Sequence, residues 1–150
     1  LMSRKYASRM HNIVEALVTA LKGIDGSGAF LSNVGENVHP RMKFWDEVEE
    51  FPAIHLNAGS EARQYQTAGY KDRFLTVTIR CYVSEEDAQI ALGALLEDVE
   101  TVLEKHSRLT YFDSTFTKNN AHQITIISID TDEGVLEPLG IGEMVIEVRY

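Results

Sequence analysis

The chain is 150 residues long, 44% of them hydrophobic, and its 14 basic and 23 acidic side chains give a formal net charge of −9. This size predicts a single domain over residues 1–150 that buries a substantial core. The acidic balance argues against a nucleic-acid-binding protein, and the absence of an apolar run of about 18 residues argues against a membrane-spanning one.

The beginning of the chain predicts one long helix and little regular structure after it. Apolar residues recur at three- and four-residue steps between positions 10 and 24, which predicts an amphipathic helix from Ser3 to about Gly23. Residues 29–34 can form a short strand, whereas residues 35–43 have no period and predict a loop. Residues 44–51 predict a one- to two-turn helix or an ordered loop, with Trp45 packed on the core.

The middle of the chain predicts a strand and a hairpin. Pro52 is acceptable at the first position of a strand, and residues 53–58 supply that strand. Residues 61–66 and 70–83 predict the two arms of a hairpin. In the second arm, strict alternation separates one face, with Leu75, Val77, Ile79, Cys81 and Val83, from the other, with Phe74, Thr76, Thr78, Arg80 and Tyr82. The polar-aromatic second face is typical of a strand that meets water or another subunit.

A second amphipathic helix follows at once. Ser84 is a favourable N-cap, Asp87 completes a variant of the capping box, and the apolar stripe continues to about His106. Residues 109–112 predict a short strand and residues 113–122 a polar loop. The last two strands, 124–129 and 144–150, are joined by a loop over 130–143. This order predicts an α+β fold, a mainly antiparallel sheet of about four to six strands with two amphipathic helices packed on it.

No set of residues points to catalysis. The five histidines form no metal-binding pattern, and no glycine motif has the spacing of a cofactor-phosphate site, so we expect neither a metal nor a cofactor. Cys81, the single cysteine, lies on the apolar face of the long strand, where a thiol is buried and inert. The sequence therefore predicts a protein that is not an enzyme and that works through its surfaces.

From about residue 3 to residue 150 the chain resembles the tail terminator (tail-completion) proteins of long-tailed bacteriophages. The matching features are the amphipathic first helix, the segment FPAIHLNAGSE, the long strand YKDRFLTVTIRCYV, the helix SEEDAQIALGALLEDVETVL and the terminal strand GEMVIEVRY. Residues 35–50 and 113–122 have no counterpart in that pattern.

The resemblance implies a structural virion protein, made in the host cytoplasm, that forms a ring of typically six copies on the head-proximal end of the tail tube. Such a ring stops tube polymerisation and provides the surface to which the connector of the filled head docks. Its partners would be its own copies, the tail tube protein and the head-side connector or neck protein. DNA would pass through an acidic lumen without specific binding.

The residues that the core does not explain are the candidates for these contacts. In the hairpin they are aromatic, basic and polar, and several are of the kinds enriched in interface hot spots: Arg63, Tyr65, Gln66, Tyr70, Lys71 and Arg73. Phe112 and Phe116 flank a polar segment that could be a flexible loop ordered by the tube. Phe74, Arg80 and Tyr82, on the second face of the long strand, are candidates for the contact between subunits.

Two alternatives stay open at this stage. One is another phage neck or tail adaptor, such as a head-closure or minor tail protein, which the sequence does not separate from a terminator. The other is a free-standing ferredoxin-like domain that binds a small ligand in a cleft, for which convergent polar residues would be expected.

Overall fold

Residues 8–150, the part of the chain that the computed structural model describes, fold into two helices, a five-stranded sheet and a separate two-stranded sheet. The helices are α1 (Arg9–Leu21) and α2 (Ala88–Lys105). The strands are β1 (Val38–His39), β2 (Ala53–Tyr65), β3 (Lys71–Ser84), β4 (Thr110–Phe112), β5 (Lys118–Asn120), β6 (Gln123–Thr131) and β7 (Leu139–Arg149). The α+β class predicted from the sequence is confirmed.

The large sheet has the strand order β1-β2-β3-β7-β6. It is antiparallel apart from β1, which runs parallel to β2, and β4 and β5 form the small antiparallel sheet. The predicted hairpin is present, but its first arm is longer than expected. β2 continues through Gly59, where a bulge shifts its register against β3, and therefore joins two segments that the sequence pattern separates.

Both helices pack on the same face of the large sheet, and the core lies between these layers. On that face β3 buries Leu75, Val77, Ile79 and Cys81, as its alternation predicts. α2 lies so close to β7 that a Cβ at Gly142 would be only 3.0 Å from Cδ1 of Leu92. Glycine is needed there to bring the helix and the strand together.

Three predictions for the segment between α1 and β2 are wrong. Residues 35–43, predicted as a loop, contain β1, which pairs with β2. Residues 29–34 do not form a strand, because the amides of Leu31 and Ser32 donate to the carboxylate of Asp98 on α2. Trp45 is not packed on the core, and its side chain is 49% exposed within a three-residue 3-10 helix. This loop is attached to the sheet by the carbonyl of Lys43, which accepts a hydrogen bond from the Tyr82 hydroxyl.

The helix starts also differ from the predictions. α1 begins at Arg9 because the Ser8 hydroxyl accepts a hydrogen bond from the His11 amide, at 3.1 Å; the predicted helical residues 3–7 lie outside the described part. Ser84 does not cap α2. It ends β3, since the next amide, of Glu85, donates to the carbonyl of Pro138, and α2 then begins at Ala88.

The last third of the chain contains more strand than the sequence indicates. The predicted loop over residues 113–122 includes β5, and the loop predicted over 130–143 is shortened at both ends by β6 and β7. The glycines that favour a loop at 140 and 142 are strand residues packed beneath α2. Neither helix of residues 8–150 has both the length and the apolar character needed to cross a membrane.

Candidate functional site

The most prominent surface is the end of the β2–β3 hairpin. β7 accompanies β3 as far as the Phe74–Arg149 pair, and the hairpin continues beyond it through the cross-strand pairs Arg63–Arg73 and Tyr65–Lys71. The turn at Thr67–Gly69 closes it. Near that turn the side chains of Tyr65 and Tyr70 are 71% and 74% exposed. The hairpin therefore presents aromatic rings to the outside at one end of the sheet.

The alternation of the two strands brings four of the predicted residues to one side, which we call the basic-aromatic face: Arg63, Tyr65, Lys71 and Arg73. The Lys71 ammonium lies 5.9 Å from the centre of the Tyr65 ring. Arg63 and Arg73 stand directly opposite each other, an arrangement that destabilises a strand pair through charge repulsion. The Glu61 carboxylate offsets part of this repulsion through an ion pair with Arg63, with 2.9 Å between Nε and Oε2. Three basic side chains against one carboxylate leave this face basic on balance, which suits a surface that meets an acidic partner.

Gln66 and Tyr70 lie apart from that face, at the turn. The backbone amide of Gln66 donates to the carbonyl of Tyr70 at 2.7 Å, and its side chain donates to Asp72 at 3.3 Å. Asp72 also accepts a hydrogen bond from Arg149, at 3.1 Å. The structure thus brings six predicted hairpin residues to one end of the ribbon but divides them between a basic-aromatic face and a turn.

A cluster around Tyr150 holds the base of the hairpin, and sequence reasoning missed it. The Tyr150 hydroxyl donates to the carboxylate of Glu61, while the guanidinium carbons of Arg9 and Arg73 lie 5.1 and 5.7 Å from its ring centre. Burial and the Glu61 carboxylate raise the pKa of Tyr150 to about 12. Arg9 also donates to the Tyr111 hydroxyl at 2.9 Å. These residues are far apart in the sequence, so no local pattern signals their contact.

The second candidate surface is the helix-free face of the large sheet. Phe74, Thr76, Thr78 and Arg80 of β3 lie on it, half-buried by their neighbours, as the alternation predicts. Arg80 forms an ion pair with Glu143 of β7, with 2.9 Å between Nη2 and Oε2. The Arg149 guanidinium lies 6.0 Å from the Phe74 ring. Charges and an aromatic ring therefore occupy a sheet face on which neither α1 nor α2 packs.

Tyr82 does not belong to this open area, and its assignment as a subunit contact is corrected. Its side chain is only 1% exposed, its hydroxyl is bonded to Lys43, and its ring packs edge-on against His55 at 5.9 Å. His55 in turn stacks on His39 at 5.1 Å. Burial lowers the pKa of both histidines, and so does the positive charge of Lys43. The chain's own loop thus covers this corner of the helix-free face.

Phe112 and Phe116 lie on the β4–β5 hairpin, and their side chains are 47% and 60% exposed. The expected flexible loop is a folded turn. The Asp113 carboxylate accepts hydrogen bonds from the amides of Thr115 and Thr117, both at 2.9 Å, and these bonds lower the Asp113 pKa to about 2. Asn12 of α1 donates to the Phe112 carbonyl at 2.8 Å. The two phenylalanines therefore belong to a surface beside α1, separate from the helix-free face.

The single cysteine and the metal-ligating side chains remain to be placed. Burial raises the pKa of the Cys81 thiol to about 12, which keeps it protonated and unreactive, as predicted. Within residues 8–150, no three histidine, cysteine or carboxylate side chains are grouped so that they could hold a metal ion.

Comparison with known proteins assigns the family. A family model described as Bacteriophage Tail Tube Terminator Protein matches residues 4–150. The chain belongs to the bacteriophage tail tube terminator family. Tail tube terminator protein p142 of Escherichia phage T5, a relative, is 33% identical in a match that covers 93% of this chain and 91% of that protein. The resemblance inferred from the order of elements is confirmed.

A similar fold is seen in a solved structure. A chain from the virion of a native gene transfer agent particle superposes with a TM-score of 0.58 at 14% sequence identity, over 91% of this chain and 96% of that one. At this level of identity the similarity concerns the fold. It agrees with the α+β architecture described above and gives no residue-level correspondence for the hairpin or the helix-free face.

Proposed function

We propose that this terminator-family protein is a structural component of the virion that forms a ring, of six copies, on the head-proximal end of the tail tube. The ring stops tube polymerisation and provides the surface to which the head connector docks. It works by surface geometry, without catalysis, metal or cofactor. Family membership supports the terminator role, and the open surfaces of the sheet support assembly.

The observation that carries the ring is that the large sheet has two different open edges. Within the described residues, β1 pairs with β2 only as far as His55, so the outer edge of β2 is unpaired from Asn57 to Tyr65. At the other side β6 pairs only with β7, and its Ile127 and Ile129 are 56% and 45% exposed. Two unlike edges favour head-to-tail contacts between copies, which generate a ring when the rotation between neighbouring copies closes and an open filament when it does not. The terminator role favours the closed ring.

The remaining candidate residues take complementary parts in this proposal. Phe74 and Arg80, on the helix-free face of the central strand β3, contribute to packing between copies. The basic-aromatic face and the turn residues Gln66 and Tyr70 contact the tail tube protein, and Phe112 and Phe116 contribute from the β4–β5 hairpin. DNA passes through the lumen without specific binding, for which the net charge of −9 is suited. A ring structure with a basic lumen would exclude this last point.

Capping of the tube is tested with two hairpin variants, Arg63→Glu and Tyr65→Ala. Both side chains are exposed, so we expect both variants to fold. Their melting temperatures should differ from that of the wild type by at most about 4 °C. Tails assembled with either variant should be abnormally long in electron micrographs, because tube growth is no longer stopped. Arg108→Glu and Phe44→Ala, which alter an exposed arginine and an exposed aromatic residue elsewhere, are matched controls with normal tails.

Normal tail lengths with both hairpin variants would refute the assignment of the hairpin to the tube. The ring itself is tested separately, by the molar mass of purified protein measured by light scattering over a wide concentration range. A species of six subunits supports the ring. A strict monomer directs the test to purified tubes, on which the ring would then have to assemble.

A further inference from the structure

A groove of about 510 Å³ opens at the end of the sheet opposite the β2–β3 hairpin turn. It lies between the loop that precedes β1, the start of β2, the end of β3 and the first half of α2. Its floor is apolar and its rim is acidic. We call it the acid-rimmed groove and define it by Leu31, Pro52, Ile90, Ala91 and Ala94 on the floor and Glu85 and Asp87 on the rim.

Two large apolar side chains of the floor are exposed. Leu31 is 63% exposed and Ile90 is 74% exposed, although Ile90 lies in the first turn of a helix whose other apolar residues supply the core. The small side chains of Ala91 and Ala94 leave space between them. Adjacent exposed apolar residues rimmed by polar ones are typical of binding surfaces, since they gain free energy only when another molecule covers them.

A buried carboxylate fixes one wall of the groove. Asp98 is 2% exposed, and it accepts hydrogen bonds from the Leu31 amide at 3.0 Å and from the Ser32 amide at 2.7 Å. The Ser32 hydroxyl donates to it as well. Burial of a carboxylate is unfavourable unless such bonds compensate it, and here they hold the loop that carries Leu31. The backbone that carries the exposed leucine is thus held in place, which lowers the entropy that the loop loses on binding.

The charge of the rim defines the occupant. Glu85 and Asp87 are both exposed, and no lysine or arginine lines the groove. A segment that fills the floor with apolar side chains and carries lysine or arginine beside them would satisfy both parts of the surface. We propose that the acid-rimmed groove is the docking site for a basic amphipathic segment of a partner protein.

The position of the groove indicates the side on which that partner lies. The groove adjoins Ser84, the last residue of β3, whereas the basic-aromatic face lies at the first residues of the same strand. If the hairpin meets the tube, the groove opens toward the head side of the ring. This placement of the partner on the head side rests on the proposed function, but the binding of a basic amphipathic segment does not.

The test uses a defined probe, a fluorescein-labelled amphipathic peptide of leucine and lysine about four helical turns long, and its counterpart of leucine and glutamate. Fluorescence anisotropy should show the leucine–lysine peptide bound by wild type and about tenfold or more weakened by Ile90→Asp and by Glu85→Lys. Val135→Asp is the matched control. It adds the same charge at an apolar residue that is 80% exposed and lies outside the groove, and it should bind as wild type.

Absence of binding, equal binding to wild type and Ile90→Asp, or equal binding of the glutamate peptide would overturn the proposal. The wild type could also fail to bind the peptide while Ile90→Asp lowers the molar mass measured by light scattering. The groove would then be a contact between copies, and the proposal would be overturned. Arg63→Glu should bind the peptide normally. If Arg63→Glu loses capping but still binds the peptide, the hairpin acts on the tube independently of the groove. If it caps normally while the groove variants lose peptide binding, the groove proposal stands and the assignment of the hairpin fails.

Discussion

The two faces of the large sheet differ in what they contribute. On the helix-covered face, β3 places Leu75, Val77 and Ile79 with no exposed surface beneath the helices. On the helix-free face, the intervening positions include Arg80, which forms an ion pair with Glu143 of β7, and Phe74, whose ring lies near the Arg149 guanidinium. The first face stabilises the fold of one chain, and the second is the one that we propose for contacts between chains. Stability and assembly should therefore respond to different substitutions in the same strand.

The largest expected effect separates the two faces at adjacent positions. Ile79→Ala removes a fully buried side chain and should lower the free energy of unfolding by about 2 to 5 kcal/mol, through lost burial and the cavity left behind. Thr78→Ala, next to it on the helix-free face, should change it by no more than about 1 kcal/mol. Urea denaturation measures both. Similar losses in the two variants would show that the helix-free face is as important to folding as the core.

A smaller effect concerns the corner of the helix-free face that the chain covers itself. Tyr82→Phe removes the hydroxyl that donates to the Lys43 carbonyl, which should cost about 1 kcal/mol. Trp45, the single tryptophan, lies two residues beyond Lys43 and reports on the loop. Its fluorescence should be quenched more readily by acrylamide in the variant. Unchanged stability together with unchanged quenching would mean that the loop does not depend on this bond.

The smallest effect is a pH dependence at the same corner. The pKa of His55 is lowered from its ordinary value of 6.5, by burial and by the charges of His39, Lys43 and Arg41. The unfolded chain therefore takes up a proton at a higher pH than the folded chain, and stability falls as the pH falls below about 6.5. Between pH 7 and pH 6, each histidine with a lowered pKa reduces the free energy of unfolding by at most about 0.7 kcal/mol.

His55→Asn should reduce this loss, and His122→Asn, which changes an exposed histidine, should keep the wild-type dependence. Urea midpoints measured at pH 7 and pH 6 provide the comparison. A wild type that is more stable at pH 6 than at pH 7 would contradict the assignment, as would an identical pH dependence in His55→Asn.

The helix-covered face was predictable because its signals are local. The alternation of β3 and the apolar stripe of α2 depend on residues two to four positions apart, and both are confirmed. The length of β7 was not predictable, because Pro138, Gly140 and Gly142 are typical of a loop. Only the close approach of α2 explains why glycines stand in a strand there.

The candidate surfaces were predictable in part for the same reason. Residue types and alternation assign Arg63, Tyr65, Lys71 and Arg73 to one ribbon. The burial of Tyr82 depends on the path of a loop that has no period. The acid-rimmed groove and its Asp98 support join residues 67 positions apart. Contacts of this range have no counterpart in local sequence patterns, so they follow only from the folded chain.

The two register shifts of the large sheet have a consequence for how the protein avoids aggregation. One shift lies at Gly59 in β2 and the other at Ile127 in β6, the strands that supply the two open edges. A flat, regular edge pairs with almost any other strand and leads to fibres, whereas a bulge twists the edge and interrupts its hydrogen-bonding pattern. The bulged edges therefore resist indiscriminate strand addition, and only a neighbour that matches their irregular shape could pair with them.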